Sequence, residues 1–220
     1  MSTVQPFIPV FSLPSVVLFP RALLHLRVAE DQFDLAMGEW LAEGAIWGVA
    51  TLRSDAKTAS SLEPSAPVFR TVGIGCIVHR ERENGCVRRL VLEGVARGKI
   101  VTGNPALNGL TVQIEILRDH VNVEGPHRKE LAQTFAEMVR AARSVAASVS
   151  SLNGLIRRVL ASHPHPGVVA DLLAHHCIED AYAKQSILAE LDVCRRARLV
   201  QIQLARMVSC QSLQPLRRFR

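Results

Sequence analysis

Residues 9–28 read PVFSLPSVVLFPRALLHLRV, and this stretch decides how the chain folds. Its apolar runs predict two short strands, near residues 8–13 and 23–28, with Pro14 and Pro20 in the connector between them. Proline lacks an N–H and fixes φ, so neither strand continues through these positions. The chain is therefore expected to turn back here.

The remainder of the first half predicts a small β-barrel. A helix over residues 30–43 that stops at Gly44, a strand over 45–53 and a polar loop over 54–67 follow the opening stretch. Residues 69–101 predict two long strands around a tight turn at Asn84-Gly85. Glycines inside these strands indicate bulges that curl the sheet. After a turn at 104–109, residues 110–117 alternate as a half-buried strand.

From residue 120 the periodicity becomes helical. Helices are predicted over residues 128–147, 152–161, 168–175 and 183 to about 207, with a proline break at 163–166. Residues 209–220 are expected to form a loose basic tail. The domains predicted are thus a barrel over 1–118, a helical part over 119–208 and the tail.

The net charge of +6 is concentrated at one end of the chain. Residues 195–220 carry seven arginines and no acidic residue, whereas residues 1–118 and 119–194 are nearly neutral. This distribution indicates a basic helix end rather than a basic face on the folded body. The chain has no apolar run of membrane-spanning length and no signal peptide at its N-terminus. We therefore expect a soluble, cytoplasmic protein.

The five cysteines are odd in number and include no C-x-x-C pair, which favours reduced thiols. Cys76 and Cys86 could be imagined as a bridge across the hairpin. A turn at Asn84-Gly85 instead places Cys76 opposite Glu93. A disulfide between these two cysteines is not expected.

The sequence disfavours three kinds of chemical site: a phosphate loop, a zinc site and a catalytic nucleophile. Residues 94–100, GVARGKI, have three residues rather than four between the glycines and lack the Ser/Thr of a phosphate loop. The histidines at 163, 165, 175 and 176, with Cys177, lack the convergent spacing of a zinc site, so helix-end and loop histidines are expected. No G-x-S-x-G or activated nucleophile stands out. We expect no enzyme activity, no cofactor and no bound metal.

Residues 10–28 follow the pattern V-x-x-L-P-x-x-V-L-F-P-x-x-x-L-x-L-x-V. The strand pair carries Val72-Gly73 and, later, the run LEGVAR at 92–97. The helical part carries VADLLA at 169–174 and then Lys184-Gln185, with DV at 192–193 and Arg196. Together these motifs, over residues 8–207, resemble the N-terminal, substrate-binding domain of Lon-type ATP-dependent proteases.

This resemblance implies an α+β fold, in which a small PUA-like β-barrel is followed by an α-helical bundle. The chain ends where the ATPase and protease modules of such a protease would begin, so a stand-alone domain is expected. The resemblance favours noncatalytic recognition of unfolded or client polypeptides, with a protease or ATPase subunit as a further partner. Departures in the last helix, Ala197 and Cys194, put contact with a downstream ATPase in doubt.

Polypeptide binding needs an exposed apolar patch or an open strand edge. Phe19, Pro20, Trp47 and Phe69 are the candidates, because they lie beside the connector and the long loop. The alternative for these residues is an ordinary place in the core. The rival function is RNA binding by the PUA-like barrel and the basic C-terminus, and a small-ligand pocket between barrel and bundle is a third possibility.

Overall fold

The structure is a computed structural model of the 220-residue chain. It describes residues 4–27, 41–52, 69–83, 86–102, 111–121, 124–162 and 165–212. The chain divides into two compact units, residues 1–118 and residues 119–220. The first unit contains all the described strands and the second all the described helices, as expected for an α+β protein.

The first unit is a six-stranded sheet that closes on itself. Its strands are β1 (Val4–Pro14), β2 (Leu23–Arg27), β3 (Ile46–Leu52), β4 (Thr71–Glu83), β5 (Cys86–Thr102) and β6 (Thr111–Leu117). The order is β2-β5-β4-β3-β1-β6, and a further pairing of β5 with β6 closes five of the strands into a barrel. Among these six described strands, only β1 and β3 pair in parallel. Strand β2 is attached beside the first half of β5.

The barrel interior is filled by aliphatic side chains from five strands: Ile8, Val10, Ala50, Val72, Ile74, Ile100, Val112 and Ile114. The predicted bulges are confirmed, since the β4–β5 register shifts between Ile74 and Gly75. Cys76 lies opposite Glu93, as predicted from the turn, and Cys76 is a free thiol.

The connector between β1 and β2 packs across the outer side of the sheet. Its residues Val17, Leu18 and Phe19 are buried. The predicted turn is confirmed: Pro14 is the last residue of β1, and Ser15 and Arg21 have positive φ values of 59° and 66°. The two flanking strands are not neighbours in the sheet, because β1 pairs with β3 and β6 whereas β2 pairs with β5.

Several predicted elements lie wholly or mainly outside the described residues. These are the helix over 30–43, the loop over 54–67, the turn over 104–109 and the turn at Asn84-Gly85. Residues 41–43, at the end of the predicted helix, form turns, and Gly44 after them has a φ of +89°. This left-handed conformation suits a glycine that ends a helix.

The second unit consists of five helices: α1 (Gly125–Ser148), α2 (Ser150–Ser162), α3 (Pro166–Cys177), α4 (Ala181–Ala189) and α5 (Val193–Ser212). Helices α1 and α3 each begin with a proline in the first turn, where its missing N–H costs nothing. Within the described ranges, no helix is both long enough and apolar enough to cross a membrane.

The prediction of one helix from residue 183 to about 207 is wrong. Two helices occupy this range, and the chain is non-helical at residues 190–192. The Asp192 carboxylate accepts the N–H of Arg195 at 2.9 Å, which starts a new helix. Helix α5 also continues to Ser212, so residues 209–212 of the predicted tail are helical and the rest of the tail lies outside the described residues.

Candidate functional site

The four residues predicted to bind polypeptides do not form one exposed patch. Phe19 and Trp47 are buried, Trp47 being only 1% exposed, and the Trp47 ring stacks on Phe11 with 4.1 Å between ring centroids. Pro20 and Phe69 are half-buried. Phe19 and Trp47 are thus core residues, the alternative weighed for them above.

A different set of side chains forms a line across four strands of the first unit. Ile46 of β3 lies opposite Cys76 of β4, Cys76 opposite Glu93 of β5, and Glu93 opposite Leu23 of β2. Ile46 is 41% and Leu23 50% exposed, and the two residues between them are half-buried. We call these four residues the exposed row.

The exposed row faces solvent because of the two-residue period of strands. Each row residue on β3, β4 and β5 has a buried neighbour in the chain. Trp47 follows Ile46, Ile77 follows Cys76, and Leu92 precedes Glu93. The row must therefore point to the opposite face of the sheet. The strands that close the barrel on that face begin to pair only beyond the row. Strand β1 pairs with β3 from Gly48 onwards, and β6 pairs with β5 from Arg97 onwards. Among the described strands, none lies over the row.

Strand β2 forms the end of the sheet beside the row. Of the described strands only β5 pairs with it, through residues 89–93. The backbone N–H and C=O groups along the other side of an edge strand can pair with an added strand. An edge strand beside exposed apolar side chains, here Leu23 and Ile46, is an arrangement that can bind an extended peptide by strand addition. We take β2 and the exposed row as the candidate site.

Sequence reasoning missed Ile46 and Leu23 because each has an apolar neighbour in the chain, Trp47 and Leu24. Alternation separates such neighbours onto two faces but does not say which face is covered. The connector covers the Trp47 side, since a methyl group built on Gly75 would lie 2.8 Å from the Leu18 side chain and 3.2 Å from Leu92. No local signal in the sequence carries this information.

Two motif residues in the second unit form a buried ion pair. Arg196 has no exposed surface, and its Nε lies 3.2 Å from Oδ1 of Asp171, which is also buried. Its Nη1 donates to Asp119 Oδ1 at 2.9 Å and to the Glu190 carbonyl at 2.8 Å, and its Nη2 donates to the second Asp119 oxygen. These contacts join α3, α5 and the segment before α1. Arg196 and Asp171 therefore stabilise the interior of the second unit.

The histidine and cysteine residues near the end of α3 form a partly buried cluster. Burial, opposed by the Lys184 charge, raises the pKa of the Cys177 thiol to about 11. Burial and the same lysine lower the pKa of His176. The Lys184 ammonium donates to the His175 carbonyl at 2.8 Å, and burial lowers its pKa. In the part of the chain that the structure describes, no three His, Cys, Asp or Glu side chains are placed to hold a metal ion.

The basic residues of α5 are partly neutralised. Arg196 is buried against two carboxylates, and Arg198 Nη2 lies 3.3 Å from Glu130 Oε1. Fewer cations of this helix than its sequence suggests are therefore available to a polyanion. Residues 213–220, which hold three more arginines, lie outside the described residues.

Comparison with known proteins identifies relatives over almost the whole chain. A family model described as the ATP-dependent protease La (LON) substrate-binding domain matches residues 8–206. Lon protease 2 of Myxococcus xanthus is 25% identical over 194 residues, covering 88% of this chain and 23% of the relative. The Lon protease of Bacillus thuringiensis is 27% identical over 198 residues, covering 89% of this chain and 24% of the relative. The chain spans about a quarter of the length of these curated relatives.

Solved structures share the fold. The N-terminal domain of a Mycobacterium avium complex Lon protease superposes with a TM-score of 0.61 at 15% identity, covering 91% of this chain and 98% of that one. A Lon N-terminal domain protein from Xanthomonas campestris superposes with a TM-score of 0.57 at 21% identity, covering 87% and 95%. These likenesses confirm the predicted α+β fold with a PUA-like barrel and a helical bundle.

Proposed function

Because this chain belongs to the family of the ATP-dependent protease La (LON) substrate-binding domain, we propose that it recognises polypeptides and catalyses no reaction on them. The observation that carries the proposal is the exposed row beside the edge strand β2. Unfolded or client segments are the ligands, and a protease or ATPase subunit is a further partner. The cytoplasm is the compartment expected for this activity.

The proposed binding mode follows from the geometry of β2. An extended segment hydrogen-bonds to the outer edge of β2, and alternate side chains of the segment lie on the exposed row. Ile46 and Leu23 supply apolar area, and burial of one such side chain contributes about 1.5–3 kcal/mol. Glu93, between them, disfavours an acidic segment and accepts a hydrogen bond from a polar one.

The test uses a reduced, carbamidomethylated model protein with a fluorescent label, titrated with the full chain and followed by anisotropy. We expect the double variant Leu23→Asp, Ile46→Asp to weaken binding by about tenfold or more, since carboxylates would replace both apolar contacts. Val101→Asp is the matched control, because Val101 is also exposed on β5 but lies outside the row. Equal loss in both variants, or no loss in the first, would refute the proposed site.

Pro20 and Phe69 are the two sequence-predicted candidates that keep some accessible surface. We propose that they form a second apolar contact for a bound segment, apart from the row, because Pro20 lies beside Gly94 on the opposite face of the sheet and Phe69 precedes Cys76 by seven residues. Phe69→Ala should then weaken binding of the same labelled protein severalfold, as expected for an aromatic side chain in contact with a ligand. Unchanged binding would restrict the site to β2 and the row.

RNA binding is the rival function, and salt separates it from polypeptide binding. Contacts to phosphates weaken steeply with added salt, whereas apolar contacts persist. We expect the labelled protein to stay bound at about 0.5 M salt, and single-stranded RNA not to displace it. Displacement by RNA, together with loss of binding in high salt, would favour the rival.

A further inference from the structure

A groove lies between α1 and α2 in the second unit, with a volume of about 570 Å³. Its floor is apolar: Ile156 and Ala146 are buried there, with Ala147 and Leu160 beside them. Arg143 of α1 and Arg157 of α2 line the groove and are exposed, so they form its rim. We call this feature the α1–α2 groove.

The rim is cationic. Of the eight residues that line the groove, two are arginines and none is acidic. Neither Arg143 nor Arg157 forms an ion pair with another described residue. By contrast, Arg198 and Arg196 of α5 both face carboxylates of their own unit. The two rim arginines are therefore available to a carboxylate from outside.

We propose that the α1–α2 groove is a second docking site, and that it takes an acidic amphipathic polypeptide segment. Apolar side chains of the segment would lie on Ile156 and Leu160, and its carboxylates would pair with Arg143 and Arg157. A groove of this volume is of the size that holds a few side chains. This inference rests on the proposed function for its class of ligand and adds a selectivity for charge.

The lining of the groove favours a polypeptide over a nucleic acid. None of the residues that line it is aromatic. Proteins that bind single strands stack bases on aromatic rings beside a basic surface. The alanine, leucine and isoleucine floor instead matches the apolar face of an amphipathic helix. Charge also separates the groove from the exposed row, which carries Glu93 and no cation.

The test compares two labelled synthetic peptides of about 18 residues with leucines at helical spacing, one with glutamates on the other positions and one with lysines. Anisotropy titration with the full chain should show the glutamate peptide binding at least about tenfold more tightly, with an affinity that falls as salt is added. The double variant Arg143→Glu, Arg157→Glu should lose this preference. The control Arg128→Glu, Arg195→Glu has the same change in charge and should keep it within about twofold.

A second variant tests the floor of the groove. Ala147 is exposed and lines the groove, so Ala147→Trp fills it without disturbing the buried residues. Binding of the glutamate peptide should fall severalfold in this variant. Equal affinity for the two peptides, equal loss in the control pair, or displacement of the glutamate peptide by single-stranded DNA but not by unlabelled peptide would overturn the proposal.

A carbamidomethylated model protein with a net charge near zero distinguishes failure of this inference from failure of the proposed function. It should bind the Arg143→Glu, Arg157→Glu variant as it binds the natural chain, because it uses the exposed row. If it binds and the glutamate peptide shows no preference, the inference alone is wrong. If neither ligand binds the natural chain, the proposed function is wrong as well.

Discussion

Arg196 shows at the scale of one residue how the second unit is held together. Its guanidinium has no exposed surface and contacts Asp119, Asp171 and the carbonyl of Glu190. Gly167, at the start of α3, leaves room for it, because a methyl group there would lie 2.9 Å from Nη2 of Arg196. Both Nη atoms donate hydrogen bonds, whereas the buried Nε forms only the ion pair with Asp171. The buried ion pair fixes how α3 and α5 pack.

We predict that Arg196→Ala lowers the free energy of unfolding by about 3–5 kcal/mol, because it leaves the buried Asp171 carboxylate without its cation. Denaturant unfolding followed by circular dichroism measures the change. The neighbouring Arg195 is exposed, so Arg195→Ala is the control and should change stability by less than about 0.5 kcal/mol. Similar midpoints for the two variants would show that the ion pair is not needed.

Cys177 should be the least reactive of the described thiols. Burial raises its pKa to about 11, so only about 0.1% of it is thiolate at pH 8. We predict that iodoacetamide modifies half-buried Cys76 more than about tenfold faster than Cys177 in the folded chain, and both at similar rates in guanidinium. Peptide mass spectrometry after timed quenching measures the two rates. Comparable rates in the folded chain would contradict the burial of Cys177.

The same pKa shift predicts how stability changes with pH. The unfolded thiol loses its proton near pH 9.0, whereas the folded thiol keeps it until about pH 11. Between these values the unfolded state binds fewer protons, so the contribution of Cys177 to stability falls as pH rises. The free energies of unfolding of the natural chain and of Cys177→Ala, measured at pH 8 and at pH 10.5, isolate this contribution. If the difference in unfolding free energy between the two proteins does not change with pH, the shifted pKa of Cys177 is contradicted.

At the scale of elements, the connector after β1 and the glycines of β4 and β5 depend on each other. A methyl group on Gly73 would overlap the carbonyl oxygen of Leu18, and one on Gly94 would overlap that of Phe19. The connector backbone lies directly on these two strands, with hydrogen bonds from Arg21 N–H to the Gly94 carbonyl at 2.7 Å and from Gly94 N–H to the Ala22 carbonyl at 2.8 Å. Glycine is required for this close approach.

We predict that Gly73→Ala destabilises the chain by about 2 kcal/mol or more, because a backbone atom must move to admit the methyl group. Gly154→Ala is the matched control. It lies in α2 with nothing within 4 Å of the new methyl group, so it should stabilise by up to about 1 kcal/mol. Thermal unfolding of the two variants gives the comparison, and changes of the same sign would contradict the packing described.

At the scale of the whole molecule, the chain consists of two units with separate cores. The barrel interior is built from strands before residue 118, and the buried positions of α1 to α5 all come after residue 119. Both tryptophans of the chain are at positions 40 and 47, in the first unit. Tryptophan fluorescence therefore reports the first unit, in which Trp47 is buried, and the helical circular dichroism signal reports mainly the second.

We predict that the two signals respond to different substitutions. Arg196→Ala should shift the circular dichroism transition in denaturant and leave the fluorescence transition within about 0.2 M of its original midpoint. Gly73→Ala should do the reverse. Coincident shifts of both signals in both variants would show instead that the two units unfold as one cooperative body.

The sequence by itself determined the fold class and much of the pairing in the first unit. Period-two and helical patterns are local, so they place strands before residue 118 and helices after it. Counting from the dipeptide at 84–85 correctly placed Cys76 opposite Glu93, because the two intervening register shifts, between Glu81 and Arg82 and between Ile77 and His79, cancel each other. The prolines at 14 and 20 ended the opening strand and bounded the connector for the same local reason.

Only the tertiary structure decided which apolar side chains remain exposed and which charges are buried. Trp47 and Ile46 are adjacent and both apolar, and the connector, some 28 residues earlier in the chain, buries the first and leaves the second on the exposed row. Arg196 lies in an arginine-rich stretch whose sequence predicts a basic surface. It is nevertheless buried against carboxylates 25 and 77 residues away in the chain. Burial is a property of contacts between distant segments, and local periodicity does not contain it.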